Sequence, residues 1–280
     1  MRQVSNREIL KQDSFVLMEK YLVCDDASMP YPRTCAHQGF NTIAPHNSLP
    51  AYGTAIALGA DEIEFDLWTT KDGEIVSIHD STIDRVSNGT GCVWEHTYEE
   101  LLQYDFGVKK SERFKGLKIP RFEDILQKFA RHAIMNIHIK TRGADTEYPV
   151  KDMEKIVSLI RKYGCENHVY FMCGNDVTLK QFKTYAPDIH VCVGAGKSAW
   201  KIVDRAIELG AEKVQLFKPH FDKAMIDKAH DHGIICNVFY SDDELSCREY
   251  LEMGVDTILT NDYFSISQIV NEYKNKNLEG

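Results

Sequence analysis

Long apolar segments are absent from this sequence of 280 residues. No stretch reaches the roughly 18 consecutive apolar residues that a membrane-spanning helix needs. The amino-terminal segment carries charges at Arg2, Arg7, Glu8, Lys11 and Asp13, so it lacks the uninterrupted apolar core of a signal peptide. We therefore expect a protein without a membrane anchor and with a cytoplasmic location.

Basic clusters and paired cysteine motifs are missing as well. The net charge of −9 and the lack of any Lys/Arg run oppose binding to nucleic acid, so we expect a small-molecule partner. The eight cysteines form no CxxC pair, and several lie in apolar runs such as VYFMC and IHVCVG. They are predicted to be reduced thiols that pack like small hydrophobic residues.

One junction recurs along the chain: a helix-like stretch ends in glycine, and a β-branched or aromatic run follows. The five instances are ALGADEIEFDL, KYGCENHVYFMC, ELGAEKVQLF, DHGIICNVFY and EMGVDTILTN. Their glycines suit the left-handed position that ends a helix, where a Cβ atom would be strained. Five such junctions indicate repeated βα units.

Eight strands with helices between them are predicted. Their ranges are 34–39, 61–67, 133–140, 168–173, 189–194, 213–217, 235–239 and 257–261. This alternation is typical of a (β/α)8 or TIM barrel, for which roughly 250 residues suffice. We therefore predict an α/β TIM barrel over residues 34–280, whose last helix spans 263–275. A helical extension over residues 1–33, with its candidate helix at 7–23, is predicted to precede the barrel.

A ninth apolar run, residues 74–80, follows the second strand too closely for a parallel crossover, which needs a dozen or more residues. It is predicted to form a small hairpin insertion after strand 2. The Asp72-Gly73 dipeptide favours a two-residue turn, and the resulting register would pair Asp66 with His79.

Polar side chains occupy one face of two predicted strands. Because strand side chains alternate between faces, Glu64 and Asp66 lie opposite the apolar residues of DEIEFDL, and Asn136, His138 and Lys140 lie opposite those of NIHIK. In a barrel the apolar faces pack on the helices, so these polar groups should point inward. Two inward carboxylates are costly to bury unless donors or a cation compensate them, and a hard divalent cation would do so.

A metal-free interpretation stays open from the residues alone. Lys140 and Arg85 could neutralise the two carboxylates in a buried ion network, and isolated histidines such as His37 and His79 are often structural. All these side chains, however, follow or overlie the carboxyl ends of predicted strands, where TIM barrels place their active sites. This common location favours a functional site.

The stretch from Ala36 to Leu101 resembles the signature of the glycerophosphodiester phosphodiesterase family. It contains AHQG, PHNS, GADEIEFD, TKDGEIVSIHD and NGTG in the family's order, and weaker similarity extends through IPRFEDIL, NIHIK, ICNVF and GVDTILTND. The resemblance thus covers about residues 34–262. It implies a TIM-barrel hydrolase of lipid metabolism that uses a divalent metal ion to split a small-molecule glycerophosphodiester into glycerol phosphate and an alcohol.

The resemblance also implies roles for individual residues. The family's acid/base pair falls on His37, assigned as the base, and His79, assigned as the acid. Its metal-binding Glu-x-Asp falls on Glu64 and Asp66, for which Mg²⁺ or Ca²⁺ is the implied cofactor, and its phosphate-contacting lysine falls on Lys140.

Two aromatic residues near predicted strand ends, Trp68 and Phe239, could flank a glycerol or head group. Ordinary barrel packing is the alternative for each.

Three positions depart from the family's pattern. Gln38 stands where the family has Arg, and His46 and His138 each stand where it has Glu. Gln38 would therefore meet the substrate without a charge. His138 would make the third metal ligand an imidazole, a set that suits Mn²⁺, Co²⁺ or Zn²⁺ better than an oxygen-only shell does.

Two other functions stay open from the sequence. One is a phosphodiesterase that resembles sphingomyelinase D or a phosphatidylinositol phospholipase and transfers phosphate to an internal hydroxyl. The other is a binding or regulatory barrel that has lost turnover, as the three replaced residues would allow. Retention of both His37 and His79 argues against such a loss. The sequence gives no indication of the oligomeric state.

Overall fold

The computed structural model describes residues 22–196 and 198–278. The candidate helix at 7–23 lies outside these ranges except for its last two residues, which are not helical. Within the described residues, no helix is both long enough and apolar enough to cross a bilayer.

Eight strands form a closed parallel barrel. They are β1 (Arg33–Ala36), β2 (Glu62–Thr69), β4 (Ile134–Ile139), β5 (Val169–Cys173), β6 (His190–Val193), β7 (Lys213–Phe217), β8 (Ile235–Phe239) and β9 (Thr257–Thr260). The barrel closes because β1 pairs with both β2 and β9. A further strand, β3 (Ile75–Ser77), runs antiparallel to β2 outside the closed ring. The predicted TIM barrel with a hairpin after its second strand is confirmed.

Helices connect successive barrel strands. They are α1 (Leu49–Ala57), α2 (Tyr98–Leu101), α3 (Phe122–Phe129), α4 (Val150–Lys162), α5 (Asp176–Tyr185), α6 (Ile202–Leu209), α7 (Lys223–Asp231), α8 (Glu244–Met253) and α9 (Tyr263–Leu278). The short α2 belongs to the long β3–α3 connection. The five glycines predicted to end helices all have positive φ angles, between +58° and +92°. The predicted last barrel helix corresponds to α9.

The strand alternation predicted from sequence is present in β2. Ile63, Phe65 and Leu67 are fully buried in the main hydrophobic cluster, together with Phe122 and Ile125 of α3. The intervening carboxylates therefore point to the barrel interior. This arrangement positions the ionisable side chains, because apolar burial against the helices fixes which face of the strand turns inward.

The hairpin register differs from the predicted one by a single residue. The carbonyl of Asp66 accepts a hydrogen bond from the N–H of Ile78, so the expected pairing of Asp66 with His79 is wrong. His79 instead follows the end of β3, where it is free of the strand ladder.

The turn itself explains this shift. It contains three residues, 71–73, because the N–H of Thr70 donates to the carbonyl of Glu74 and closes the ladder there. Gly73 adopts the left-handed conformation with φ +80°, and the Thr70 hydroxyl accepts the N–H of Glu74. An Asp-Gly pair fits both two-residue and three-residue turns, so its presence does not determine the register.

The amino-terminal end of the barrel holds a buried ion cluster. The guanidinium of Arg33 is fully buried between Asp26 and Glu62, and its distance to the Glu62 carboxylate is 3.0 Å. The ammonium group of Lys213, also fully buried, lies 2.9 Å from Asp26. The segment that contains Asp26 closes this end, since the backbone N–H of Asp26 donates to the carbonyl of Asn167. Charge at this end is thus compensated internally.

Candidate active site at the carboxyl ends of the strands

A pocket of about 240 Å³ opens at the carboxyl ends of the barrel strands. Its ionisable lining residues are His37, Glu64, Asp66, His79 and His138. The structure therefore brings together the five ionisable residues that were expected to converge here. Phe239, predicted to contact substrate, also lines the pocket, whereas Trp68 does not and packs against Trp94 at 5.2 Å between ring centroids.

The pairing of β2 with β4 sets the positions of the carboxylates and His138. Asp66 lies directly opposite His138 in this parallel ladder. The Nδ1 atom of His138 is 3.0 Å from Asp66 Oδ1 and 3.9 Å from Glu64 Oε1. Two adjacent strands therefore present two carboxylates and one imidazole to the same point.

The two carboxylates experience opposite electrostatic effects. Burial, reinforced by the negative charge of Asp66, raises the pKa of Glu64 well above its usual value. Burial would also raise the pKa of Asp66, but Lys140, at 2.9 Å, and His138 reverse that effect and hold it well below its usual range. Lys140 thus compensates one of the two negative charges, and an additional cation would compensate the other.

The atoms available suit a divalent ion. One potential ligand atom from each of Glu64, Asp66 and His138 lies within 4.8 Å of the other two. Asp66 Oδ1 is buried and forms no hydrogen bond of good geometry, although two nitrogens are close to it. Burial and the nearby Lys140 lower the pKa of His138 to about 4, so its imidazole is neutral and can act as a ligand near pH 7.

His37 is held in a defined tautomer by Asn261, the residue directly after β9. Its Nδ1 is 2.8 Å from Oδ1 of Asn261, whose own amide and backbone N–H groups donate to Asp242. Because these bonds turn the Asn261 oxygen towards His37, Nδ1 must carry the proton and Nε2 is left unprotonated. That Nε2 lies 3.9 Å from Glu64, and burial lowers the pKa of His37.

His79 has a charged partner instead. Its Nδ1 lies 2.7 Å from Oδ1 of Asp80, and its side chain is 43% exposed. Arg85 binds the same Asp80 carboxylate and is not in contact with Glu64 or Asp66. The metal-free alternative is therefore not supported in its Arg85 part, while the contact between Lys140 and Asp66 is present.

Gln38 bridges the carboxylates and His46. Its backbone N–H donates to Glu64, and its side-chain amide donates to Asp66 at 3.1 Å. The amide oxygen accepts from Nδ1 of His46 at 2.8 Å. Burial lowers the pKa of His46 to about 4, so this histidine is a neutral donor at pH 7. Gln38 is 3% exposed, so its side chain supports Asp66 in this structure.

Asn47 forms hydrogen bonds with several buried groups, a role that the sequence analysis missed. Its amide nitrogen donates to the Asp66 carboxylate at 2.8 Å. Its amide oxygen accepts from the Asp66 N–H and from the hydroxyls of Tyr52 and Ser77. Asn47 thereby links the segment before α1 to β2 and β3, and it fixes the rotamer of Asp66.

A second, smaller cavity of about 190 Å³ lies beside the first. Lys140, Arg142, Tyr148 and Asp152 are among its lining residues. Because Lys140 also contacts Asp66, its side chain stands between this cavity and the carboxylate pair.

Comparison with known proteins identifies relatives of the chain. The sequence profile of the glycerophosphoryl diester phosphodiesterase family matches residues 37–263. The glycerophosphodiester phosphodiesterase of Caldanaerobacter subterraneus subsp. tengcongensis is 30% identical over 238 residues, which cover 84% of this chain and 96% of that protein.

Solved structures give the same grouping. A glycerophosphodiester phosphodiesterase from Agrobacterium tumefaciens superposes with a TM-score of 0.71 at 26% identity, covering 84% of this chain and 99% of the other. A phosphodiesterase from Oleispira antarctica, in complex with its product sn-glycerol-3-phosphate, superposes with a TM-score of 0.78. Its identity is 21%, covering 86% of this chain and 97% of the other, so it supports the fold alone.

Proposed function

Because the chain belongs to the glycerophosphoryl diester phosphodiesterase family, and is thus a phosphoric diester hydrolase, we propose that it splits a glycerophosphodiester with the help of a divalent cation. The products would be glycerol phosphate and an alcohol. The observation that carries the proposal is the convergence of two buried carboxylates and three imidazoles on one pocket at the carboxyl ends of the strands. The Oleispira phosphodiesterase, which shares the fold, holds sn-glycerol-3-phosphate, a product of the kind proposed here.

Glu64, Asp66 and His138 would hold the cation, since their ligand atoms lie within 4.8 Å of one another. A bound cation offsets the charge that develops on the nonbridging phosphate oxygens during attack at phosphorus. The imidazole in this set favours Mn²⁺, Co²⁺ or Zn²⁺, whereas the two carboxylates also accept Mg²⁺ or Ca²⁺.

His37 would act as the general base. Its Nε2 is unprotonated and faces the pocket, because the Nδ1–H group donates a hydrogen bond to Asn261. Burial favours the neutral form, and the neutral form is the one that removes a proton from the attacking water. Asp242 supports this role indirectly, since it fixes the orientation of the Asn261 amide.

His79 would act as the general acid. The Asp80 carboxylate lies 2.7 Å from Nδ1 and orients the ring, so that Nε2 would give a proton to the leaving alcohol. The two histidines thus differ in their partners, an amide for His37 and a carboxylate for His79. Such a difference separates base from acid within one site.

Two residues would contact the substrate, and Gln38 would act on the cation site through Asp66. Lys140, whose ammonium group lies 2.9 Å from Asp66, would stabilise the phosphate by a charge-assisted hydrogen bond. Phe239, whose ring lies 4.7 Å from the His37 ring, would pack against the glycerol. Gln38 would contribute a neutral donor next to the cation site, in place of the charge that the family's arginine supplies.

The test is release of sn-glycerol 3-phosphate from glycerophosphocholine, glycerophosphoethanolamine and glycerophosphoglycerol, with Mn²⁺ or Mg²⁺ present. We expect turnover of at least one diester, and loss of turnover in an Asp66→Asn variant that removes one carboxylate charge while keeping its size. Ser198→Ala, at an exposed loop position outside the pocket, is the control. If no diester is hydrolysed, the barrel is a binding protein; if a cyclic phosphate forms instead of glycerol phosphate, an internal hydroxyl is the nucleophile.

A further inference from the structure

A second group of metal-ligating side chains lies at the amino-terminal end of the barrel, away from the catalytic pocket. His230 is in the last turn of α7, Cys236 is the second residue of β8, and Asp256 directly precedes β9. Each offers one ligand atom, and these nitrogen, sulfur and oxygen atoms all lie within 4.8 Å of one another. The proposed hydrolysis uses none of the three residues.

Strand alternation directs the Cys236 thiol towards the helices. The amide of Asn237 donates to the hydroxyl of Tyr170 in the barrel interior, so Cys236, one residue earlier, faces outwards. There the thiol is free and fully buried, in the same hydrophobic cluster as Ile226 and Ala229 of α7. The sulfur is therefore the innermost atom of the group, and α7 brings the imidazole close to it.

The Asp256 carboxylate is held in place by its neighbours but keeps one oxygen free for a ligand. Its Oδ2 accepts the backbone N–H of Cys236 at 2.7 Å and lies 2.8 Å from Nε2 of His230. Among the described residues, no group donates a hydrogen bond to its Oδ1, and no Lys or Arg forms an ion pair with it. One carboxylate oxygen, and a negative charge that only an imidazole faces, are therefore available to a cation.

The separations within the group suit a small tetrahedral ion. Zn²⁺ binds nitrogen and oxygen at roughly 2.0 to 2.2 Å and sulfur at about 2.3 Å, so its ligand atoms lie roughly 3.3 to 3.6 Å apart. The separations in this structure, 2.8 Å between imidazole and carboxylate and at most 4.8 Å within the group, bracket that range. The side chains of His230 and Asp256 are 39% and 19% exposed, so a water molecule would have access to the fourth position.

The donor atoms also select the kind of ion. A thiolate with an imidazole and a carboxylate suits Zn²⁺ or Co²⁺, whereas Mg²⁺ and Mn²⁺ prefer sites made of oxygen atoms. Binding would release the thiol proton to solvent, because the thiolate is the ligand form. The thiolate and the carboxylate would then balance the two positive charges of the ion. The group formed by Glu64, Asp66 and His138 has no sulfur atom, which distinguishes the two sites.

We propose that His230, Cys236 and Asp256 form a second metal site, which binds Zn²⁺ or Co²⁺ with water as the fourth ligand. The site joins the end of α7 to the starts of β8 and β9. The bound ion stabilises the amino-terminal end of the barrel and takes no part in hydrolysis.

Titration of the metal-stripped full-length protein with Co²⁺ tests this site directly. A thiolate bound to Co²⁺ gives a charge-transfer band in the near ultraviolet, which a site of nitrogen and oxygen atoms cannot give. We expect a saturable band that disappears when Zn²⁺ replaces the Co²⁺. The catalytic site contributes no such band, so the signal does not depend on the proposed function.

Matched variants identify the ligands. Cys236→Ala, which keeps a small apolar side chain in the core, should remove the band, whereas Cys247→Ala, at another free and fully buried cysteine, should retain it. His230→Ala should weaken the Co²⁺ binding that this band reports by about 100-fold, since even residues that support a ligand contribute roughly 10- to 100-fold. His232→Ala is its control and should leave the affinity unchanged, because Nδ1 of His232 bonds to the carbonyl of Lys228 instead.

The outcomes separate a metal site from a purely structural cluster. A band that is absent from the wild type, or that persists in Cys236→Ala, overturns the proposal, because the thiol then only packs in the core or another cysteine binds the ion. Equal Co²⁺ affinity in His230→Ala and the wild type overturns it as well. Retention of the band in Asp66→Asn supports a separate site, and its loss there contradicts one. Because the band is recorded without substrate, failure to hydrolyse any diester would refute the proposed function and leave this site untouched.

Discussion

Replacement of His138 is the most informative perturbation of the proposed cation site. In the family pattern a Glu occupies this position, whereas here an imidazole lies 3.0 Å from Asp66 and 3.9 Å from Glu64. His138→Ala removes one of three ligands and leaves Lys140 paired with Asp66 at 2.9 Å. The remaining carboxylates would then hold the cation with fewer bonds and with a competing ammonium group nearby.

The magnitude follows from what metal sites tolerate. Loss of residues that merely support a ligand costs roughly 10- to 100-fold in metal affinity, so loss of the ligand itself should cost about 100-fold or more, or about 2.7 kcal/mol. His138→Glu should act differently, because it restores an oxygen-only shell and adds a negative charge. We expect it to shift the ratio of Mn²⁺ to Mg²⁺ affinities by about tenfold towards Mg²⁺ while keeping turnover.

Isothermal titration of metal-stripped protein with Mn²⁺ and Mg²⁺ measures both effects. His168→Ala is the matched control, since His168 is a buried histidine at the other end of the barrel, near the carbonyl of Val23. If His138→Ala lowers the melting temperature and binds Mn²⁺ as tightly as wild type, His138 is a structural residue. The two-carboxylate-plus-imidazole site would then be refuted.

Three further substitutions test other parts of the account. His79→Ala should lower kcat by roughly 10² to 10⁴ while metal affinity, measured by titration, stays unchanged; a parallel loss of metal would instead make His79 a ligand. Asn47→Ala should destabilise the protein by about 2 to 4 kcal/mol and lower the Tm by roughly 5 to 10 °C, because it removes hydrogen bonds from the buried carboxylate and N–H of Asp66; an unchanged Tm in calorimetry would contradict this. Arg33→Met should cost about 3 to 5 kcal/mol in urea unfolding, since Glu62 would remain buried without its guanidinium; a neutral effect would show that the cluster is dispensable.

The barrel was predictable because its signals are local and repeated. Glycine at five helix ends and apolar runs after them set the positions of the strands, and two predicted ranges, those of Lys213–Phe217 and Ile235–Phe239, agree to the residue. Alternation in β2 also predicted which side chains turn inward, since burial of Phe65 against α3 leaves Glu64 and Asp66 no other face.

The hairpin register was not predictable from the same kind of signal. Asp72-Gly73 indicates a turn, but only the closing bond between Thr70 and Glu74 determines that the turn has three residues. His79 nevertheless lines the pocket from its position two residues after the end of β3.

The partners of the histidines escaped sequence analysis for a different reason. Asn261 lies 224 residues after His37, so no local pattern links them, and only closure of the barrel between β1 and β9 brings them together. Asp80 is adjacent to His79 in sequence, and its contact could have been anticipated. Arg85, a possible partner of the carboxylates in the metal-free alternative, is bound to Asp80, five residues away.

The central claim is that hydrolysis depends on one cation held by Glu64, Asp66 and His138. The most direct measurement titrates metal-stripped protein with Mn²⁺ while recording bound metal and glycerol phosphate release in the same samples. The account predicts that turnover is absent without metal and rises in proportion to the first bound equivalent, and that Asp66→Asn loses both together. Full turnover by the metal-stripped protein would contradict it.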